Sequence, residues 1–198
     1  MEQIWVEDSE FFSEAEKILE NEETRVSEFW RHKYEEQQGR NWNVFFKDNQ
    51  DRFFDNRNYL LSEFEITKDD SLLELGCGVG NSLLPILEKI SCRAIGIDIS
   101  KRALELFQKK FEDETRLVLF QKDVSEKIEI SEITNWEPTK ALLIFVLSTI
   151  PPKNHFKVIE NLDRNLKKGL VYFRDYARMD LAQLRFAESK NSKICFFF

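Results

Sequence analysis

Between residues 72 and 81 the chain reads Leu-Leu-Glu-Leu-Gly-Cys-Gly-Val-Gly-Asn. A short apolar run carries an acidic residue and then gives way to glycine at every second position. The segment from Ser82 to Ile90 continues with helical spacing. Strand, glycine turn and helix in that order form the opening unit of a nucleotide-binding α/β sheet. Glycine suits such a turn because it adopts positive φ at low cost and lets a ligand approach the backbone. The helix that follows presents unpaired N–H groups at its start.

From Ser71 onward, apolar runs of strand length alternate with amphipathic stretches. Strands are expected at 71–75, 93–97 (ending at Asp98), 117–121, 141–146 and 170–173. Helices are expected at 81–90, 101–111 and 155–166, the last following Pro151-Pro152 and stopped at Gly169. Such alternation predicts an α/β fold, a parallel sheet with right-handed crossovers and helices on both faces.

Residues 1 to about 38 have helical spacing with one or two breaks, marked by Phe11, Phe12, Ile18, Leu19, Val26, Phe29 and Trp30. Gly39 is expected to end this segment. Residues 1–65 are taken as a helical, aromatic extension and 66–198 as the main domain. In the extension, Trp42, Phe45, Phe46, Phe53, Phe54 and Tyr59 are interleaved with Arg52 and Arg57. Such rings can stack on bases or on adenine, and they equally suit core packing.

Charge and cysteine use narrow the function classes. The net charge of −7 opposes indiscriminate nucleic-acid binding, so a nucleic-acid substrate requires a local basic patch or a helper. Cys77, Cys92 and Cys195 form neither a disulfide framework nor a zinc spacing, which suits a reducing compartment, and no metal site is expected. The acidic N-terminus lacks a signal-peptide pattern, and no apolar run approaches membrane-spanning length.

The glycine spacing separates two ligand classes. Dinucleotide sites use G-x-G-x-x-G, whereas here the third glycine is Gly80 and Asn81 holds the next place. Gly-x-Gly-x-Gly after an acidic residue resembles motif I of class I S-adenosylmethionine methyltransferases. Asp98 closes the second strand, where a carboxylate can accept from both ribose hydroxyls. Asp123 follows the third strand, where the resemblance places a carboxylate opposite the adenine amino group. Each acid alone would pass for a solvated loop residue; Glu74, Asp98 and Asp123 at strand ends form a pattern.

Further blocks are more specific. They are Thr24-Arg25-Val26-Ser27-Glu28-Phe29, then Asn41-Trp42-x-x-Phe45-Phe46-Lys47, and Phe53-Phe54-x-x-Arg57-Asn58-Tyr59-Leu60. Leu143-Ile144-Phe145-Val146-Leu147-Ser148, Phe173-Arg174-Asp175-Tyr176 and Leu184-Arg185-Phe186 follow. With the Cys-Gly-Val-Gly-Asn turn, these blocks resemble the eukaryotic methyltransferase-like enzymes that form 3-methylcytidine in tRNA, over about residues 24–186.

The resemblance implies a Rossmann-like fold, S-adenosylmethionine as cofactor and 3-methylcytidine formation at position thirty-two of the tRNA anticodon loop. It implies that Trp42 and Phe46 line the cofactor pocket with Glu74, Gly76, Gly78, Gly80, Asp98, Asp123 and Ile144. Phe53, Phe54, Arg57, Tyr59, Arg174, Tyr176 and Arg185 would approach the substrate, with Asp175 as the candidate catalytic carboxylate beside a base that becomes cationic. Asp175 has an equally weighted structural reading, as a strand-end acid paired with Arg174. The arginines can also serve as surface ion-pair partners. A cytoplasmic location, with the nucleus as a second compartment, is implied, as is an accessory protein such as seryl-tRNA synthetase.

Three departures stand out. Phe46 replaces the family's usual tyrosine, and Asp55-Asn56 stands where Lys-Asp is usual. The family's sheet has seven strands, and a chain ending at Phe198 is expected to supply five or six. Two other readings stay open: a methyltransferase acting on a small molecule or protein, and a non-catalytic, cofactor-binding partner subunit.

Overall fold

The computed structural model describes residues 27–113, 115–166, 168–177 and Asp180, together with Ser13, Glu16 and Lys17. The sequence expectations for Phe11, Phe12, Ile18, Leu19, Val26 and Arg185 lie outside the described residues.

From residue 27 onward the described residues form two helices, α1 (Glu28–Glu36) and α2 (Gln38–Asn49), followed by the single turn α3 (Leu60–Glu63). Then the alternation begins: β1 (Ser71–Leu75), α4 (Leu83–Lys89), β2 (Arg93–Asp98), α5 (Lys101–Lys110) and β3 (Leu117–Gln121). A 3-10 turn (Ile130–Glu132), β4 (Lys140–Ile144), a second 3-10 turn (Leu147–Thr149), α6 (Pro152–Asn165) and β5 (Leu170–Arg174) complete the described order.

The five strands lie in the order β3-β2-β1-β4-β5, every neighbouring pair parallel. β1 is central and wholly buried, which explains its near-continuous apolar sequence. Alternate residues face opposite layers. Leu72, Ala94, Leu117 and Leu142 pack with Leu83, Ile86 and Leu87 of α4 and Phe107 of α5. Leu73, Leu75, Ile95, Ile97 and Leu143 pack on the other face with Val158 and Leu162 of α6. The chain reverses its direction of sheet growth between β1 and β4, so the crevice at their carboxyl ends is the expected ligand position.

Several local expectations need correction. Gly39 does not end a helix. The break falls at Gln37, and Gly39 sits in the first turn of α2, where an added Cβ would lie 3.2 Å from the Ile99 side chain. β4 ends at Ile144, two residues early, because Phe145 turns into the left-handed region at φ 57° while Val146 stays buried. The helix after the glycine turn starts at Leu83, since Asn81 is used to hold another segment. α6 begins at Pro152, where the proline ring occupies the first helical turn and no amide is lost from the ladder.

Candidate active site

The glycine turn joins the end of β1 to α4. Gly76, Gly78 and Gly80 all have positive φ, at 74°, 53° and 85°. Two need glycine for steric reasons as well. A Cβ on Gly76 would lie 2.6 Å from Val146 Cγ2, and one on Gly80 would lie 2.4 Å from Phe107 Cε2. Gly78 differs: the nearest atom to an added Cβ is Phe46 Cζ, at 3.5 Å. The turn is pinned to β2 because the amides of Gly76 and Cys77 both donate to the Ile97 carbonyl.

Asp98 closes β2 beside this turn and is 7% exposed. The Gly78 amide donates to its Oδ2 and the Ser100 amide to its Oδ1, each at 2.8 Å. Burial pushes its carboxyl up to about 6 even though both amides favour the charged form. Glu74 lies beneath the turn, 1% exposed. Burial lifts it to about 8, against the Arg57 guanidinium and the Ser82 hydroxyl and with help from Asp98. Its Oε2 has no hydrogen-bond partner among the described residues. Cys77, also buried, is pushed well above the ordinary thiol range for the same reason, and it contributes no thiolate. Asp123 sits half-buried after β3, where its Oδ1 accepts from the amide and hydroxyl of Ser125 at 2.8 and 2.7 Å. Ile144, the last residue of β4, is 2% exposed and packs in the core with Leu72 and Leu142.

α2 covers the turn. Phe46 is buried with Val79 and Ala103, and Trp42, Phe45 and Leu106 pack against them. Trp42 stacks on Phe46 with centroids 5.8 Å apart. Phe45 meets Phe53 edge-on at 4.9 Å, and Phe53 meets Phe54 at 4.7 Å. Phe53 is nevertheless 56% exposed, so this cluster presents one ring to solvent. The Phe54 carbonyl accepts from Asn81 Nδ2 at 3.0 Å, and the Arg57 amide donates to the Asn81 carbonyl at 2.8 Å. One asparagine in the glycine turn thereby anchors the whole 54–57 segment.

The predicted substrate residues divide into separate groups. Arg57 turns inward: its Nη1 donates to Ser82 Oγ at 3.2 Å and its guanidinium lies 5.2 Å from the Phe145 ring centre. Tyr176 also packs on Phe145, centroids 4.9 Å apart. Arg174 pairs with Glu63 at 2.7 Å and lies over Tyr59 at 4.7 Å, so the expected pairing of Arg174 with Asp175 is replaced. Asp175 instead accepts the Ser148 amide at Oδ2, 3.1 Å, and the Tyr176 amide at Oδ1, 2.8 Å. It joins the loop after β5 to the loop after β4, at the mouth of the crevice.

Sequence reasoning missed Phe145. A bulky residue at positive φ is an outlier, and its ring contacts both Arg57 and Tyr176. It also missed Asn81 and Ser82 as anchors; their place just after the glycines was the available signal. An open hollow of about 510 Å³ lies on the outer side of α1 and α2, lined by Lys33, Arg40 and Val44 among others. None of the glycine-turn residues line it. Buried carboxylates and open glycine backbone locate the site better than volume does.

Comparison with known proteins agrees with this geometry. A methyltransferase-domain family matches residues 72–169. The tRNA N(3)-cytidine methyltransferase METTL6 of Homo sapiens is 37% identical over 188 residues, 89% of this chain and 66% of that protein. The tRNA N(3)-methylcytidine methyltransferase Mettl2 of Drosophila melanogaster is 33% identical, covering 94% of this chain and 62% of its own length. The tRNA N(3)-methylcytidine methyltransferase trm141 of Schizosaccharomyces pombe is 35% identical, covering 84% and 71%. The chain thus spans a little under two thirds of the first two of these relatives. Among solved structures, Haemonchus contortus phosphoethanolamine N-methyltransferase 1, in complex with phosphoethanolamine and S-adenosylhomocysteine, superposes with a TM-score of 0.53 at 12% identity. It covers 75% of this chain and 36% of its own. The DhpI-SAH complex has a TM-score of 0.53 at 15% identity, covering 71% and 68%. These two likenesses establish the fold alone. Identity sustained over nearly the whole chain, through the glycine turn and the aromatic segment that covers it, places the chain in the tRNA N(3)-methylcytidine methyltransferase family.

Proposed function

We propose that the crevice binds S-adenosylmethionine and that the chain methylates N3 of a cytidine in tRNA, at position 32 of the anticodon loop. The observation that carries the cofactor reading is the pairing of Asp98 with the glycine turn. A buried carboxylate, held by two backbone amides beside glycines at positive φ, suits a neutral ribose diol better than a phosphate. Asp98 would accept from the ribose hydroxyls, Asp123 from the adenine amino group, and Phe46 would pack over the turn. The hydroxyl of the family's usual tyrosine is absent at Phe46, and the ring packing remains.

The cofactor supplies an electrophilic methyl group. Cytosine N3 carries a lone pair at neutral pH, so the chain needs no strong general base, and its main task is placement. The target base must be unpaired, because pairing blocks N3. Phe53, Tyr59 and Tyr176 would offer stacking surfaces for it, and Asp175 would stabilise the positive charge that develops on the base. Arg185 and Arg174 serve as contacts to the substrate. The names of the curated relatives support the tRNA cytidine substrate, and that of a Saccharomyces cerevisiae relative, 34% identical, specifies cytosine 32 of threonine tRNA. With a net charge of −7, an accessory protein such as seryl-tRNA synthetase fits the need for help with a polyanion, and a cytoplasmic location, with the nucleus as a second compartment, goes with a tRNA substrate.

The test is methyl transfer from isotopically labelled S-adenosylmethionine to purified tRNA, with and without seryl-tRNA synthetase, followed by nucleoside analysis. Label in 3-methylcytidine supports the proposal. Label in another nucleoside or in protein overturns it.

A further inference from the structure

α2 is the element that covers the crevice, and its attachment to the sheet is polar as well as aromatic. Asn43 Oδ1 accepts two hydrogen bonds, from Ser100 Oγ at 3.0 Å and from the Arg102 amide at 3.0 Å. Arg102 sits in the first turn of α5, where amides lack a partner within the helix. Ser100 is the N-cap of α5, and its Oγ accepts from the Ala103 amide at 3.2 Å. Asn43 therefore caps α5 from a helix 57 residues away in sequence.

The same serine reaches the proposed ribose carboxylate. The Ser100 amide donates to Asp98 Oδ1, and Asp98 Oδ2 accepts from Gly78. A continuous chain of hydrogen bonds thus runs from α2 through Ser100 and Asp98 into the glycine turn. A second polar contact joins Arg102 Nη2 to Gln50 Oε1 at 3.2 Å. Gln50 caps α2 with φ 55° and ψ −128°, a conformation that a non-glycine side chain rarely adopts. The covering helix is tied to α5 at the capping asparagine and again at this strained terminus.

We propose that Asn43 is a positioning residue that latches α2 over the cofactor and couples its closure to the ribose-binding carboxylate through Ser100. The inference rests on the reading of the crevice as an S-adenosylmethionine site. Asn43 touches neither cofactor nor substrate; it acts by fixing Ser100, which orients Asp98, and by holding Phe46 above Gly78. Both bonds use the side-chain oxygen as acceptor, so an aspartate can replace the asparagine, and a negative charge at a helix N-terminus is favourable.

The test is calorimetric titration with S-adenosylhomocysteine, joined to amide hydrogen exchange across residues 38–49. Asn43→Ala should bind about five- to tenfold more weakly, the usual scale for loss of a helix cap, and α2 should exchange faster. Asn43→Asp should restore both readouts, which also separates the latch from a general loss of folding. Unchanged affinity in Asn43→Ala overturns the latch, as does an aspartate variant no better than alanine. Failure of the unaltered chain to bind S-adenosylhomocysteine refutes the cofactor reading on which the latch rests, and the exchange measurement then decides the latch's mechanical part separately.

Discussion

Glu74 offers a perturbation whose direction is counter to intuition for a residue of the glycine motif. Its carboxyl is buried, one oxygen lacks a hydrogen-bond partner among the described residues, and burial lifts it from 4.5 to about 8. A raised value means that the folded chain holds this proton more tightly than the unfolded chain does. Stability from this group is therefore greatest at low pH, falls as pH rises from 4.5 to about 8, and is level above that. Between pH 5.5 and 8.5 the loss amounts to about 3 kcal/mol. Glu74→Gln removes the titration. It also places an amide donor where no partner waits, at a pH-independent cost of about 1–3 kcal/mol. The informative quantity is thus the slope and not the absolute stability. Urea denaturation of both proteins at pH 5.5, 7 and 8.5 should show the difference moving by about 3 kcal/mol in favour of the glutamine variant. Parallel profiles would refute the assignment of a protonated, buried Glu74.

Four other outcomes follow from the same geometry. Gly80→Ala should destabilise the fold by about 2–5 kcal/mol in urea melts, because a positive φ and a clash with Phe107 act together. Gly78→Ala should cost only about 1–2 kcal/mol, since its Cβ meets Phe46 at ordinary contact distance, yet weaken S-adenosylhomocysteine binding. S-adenosylhomocysteine affinity should fall as pH drops below about 6, by up to roughly tenfold per pH unit, because the ribose needs ionised Asp98; calorimetry at pH 5 and 7.5 with a flat result would exclude that role. Asp175→Asn should lower methyl transfer about 10- to 100-fold in single-turnover assays while leaving tRNA affinity intact. Undiminished turnover in that variant removes the carboxylate charge from the mechanism.

The sheet was legible because its signals are local. β1 and β3 begin and end where the apolar runs do, and the glycines mark their own turn through backbone conformation. Asp98 was legible because a strand end has a defined place in the fold. The rest depends on partners far away in sequence. Arg174 meets Glu63 across 111 residues, and no spacing rule distinguishes that acid from Asp175 next door. Arg57 reads as a free surface cation until Ser82, Glu74 and Phe145 are seen around it. Gly39 looks like a helix stop, but packing of α2 against α5 carries the helix through it. Asn43 carried no signal of its own, because capping α5 from another helix leaves no pattern near Ser100.

The proposed activity is the formation of 3-methylcytidine in tRNA. Nucleoside mass spectrometry of tRNA purified from cells lacking the protein tests it most directly, with the anticodon-loop fragment of each isoacceptor resolved. The account predicts a selective loss of 3-methylcytidine at position 32, reversed by the intact protein and left unreversed by Asp98→Ala. Unchanged 3-methylcytidine in every tRNA would contradict it.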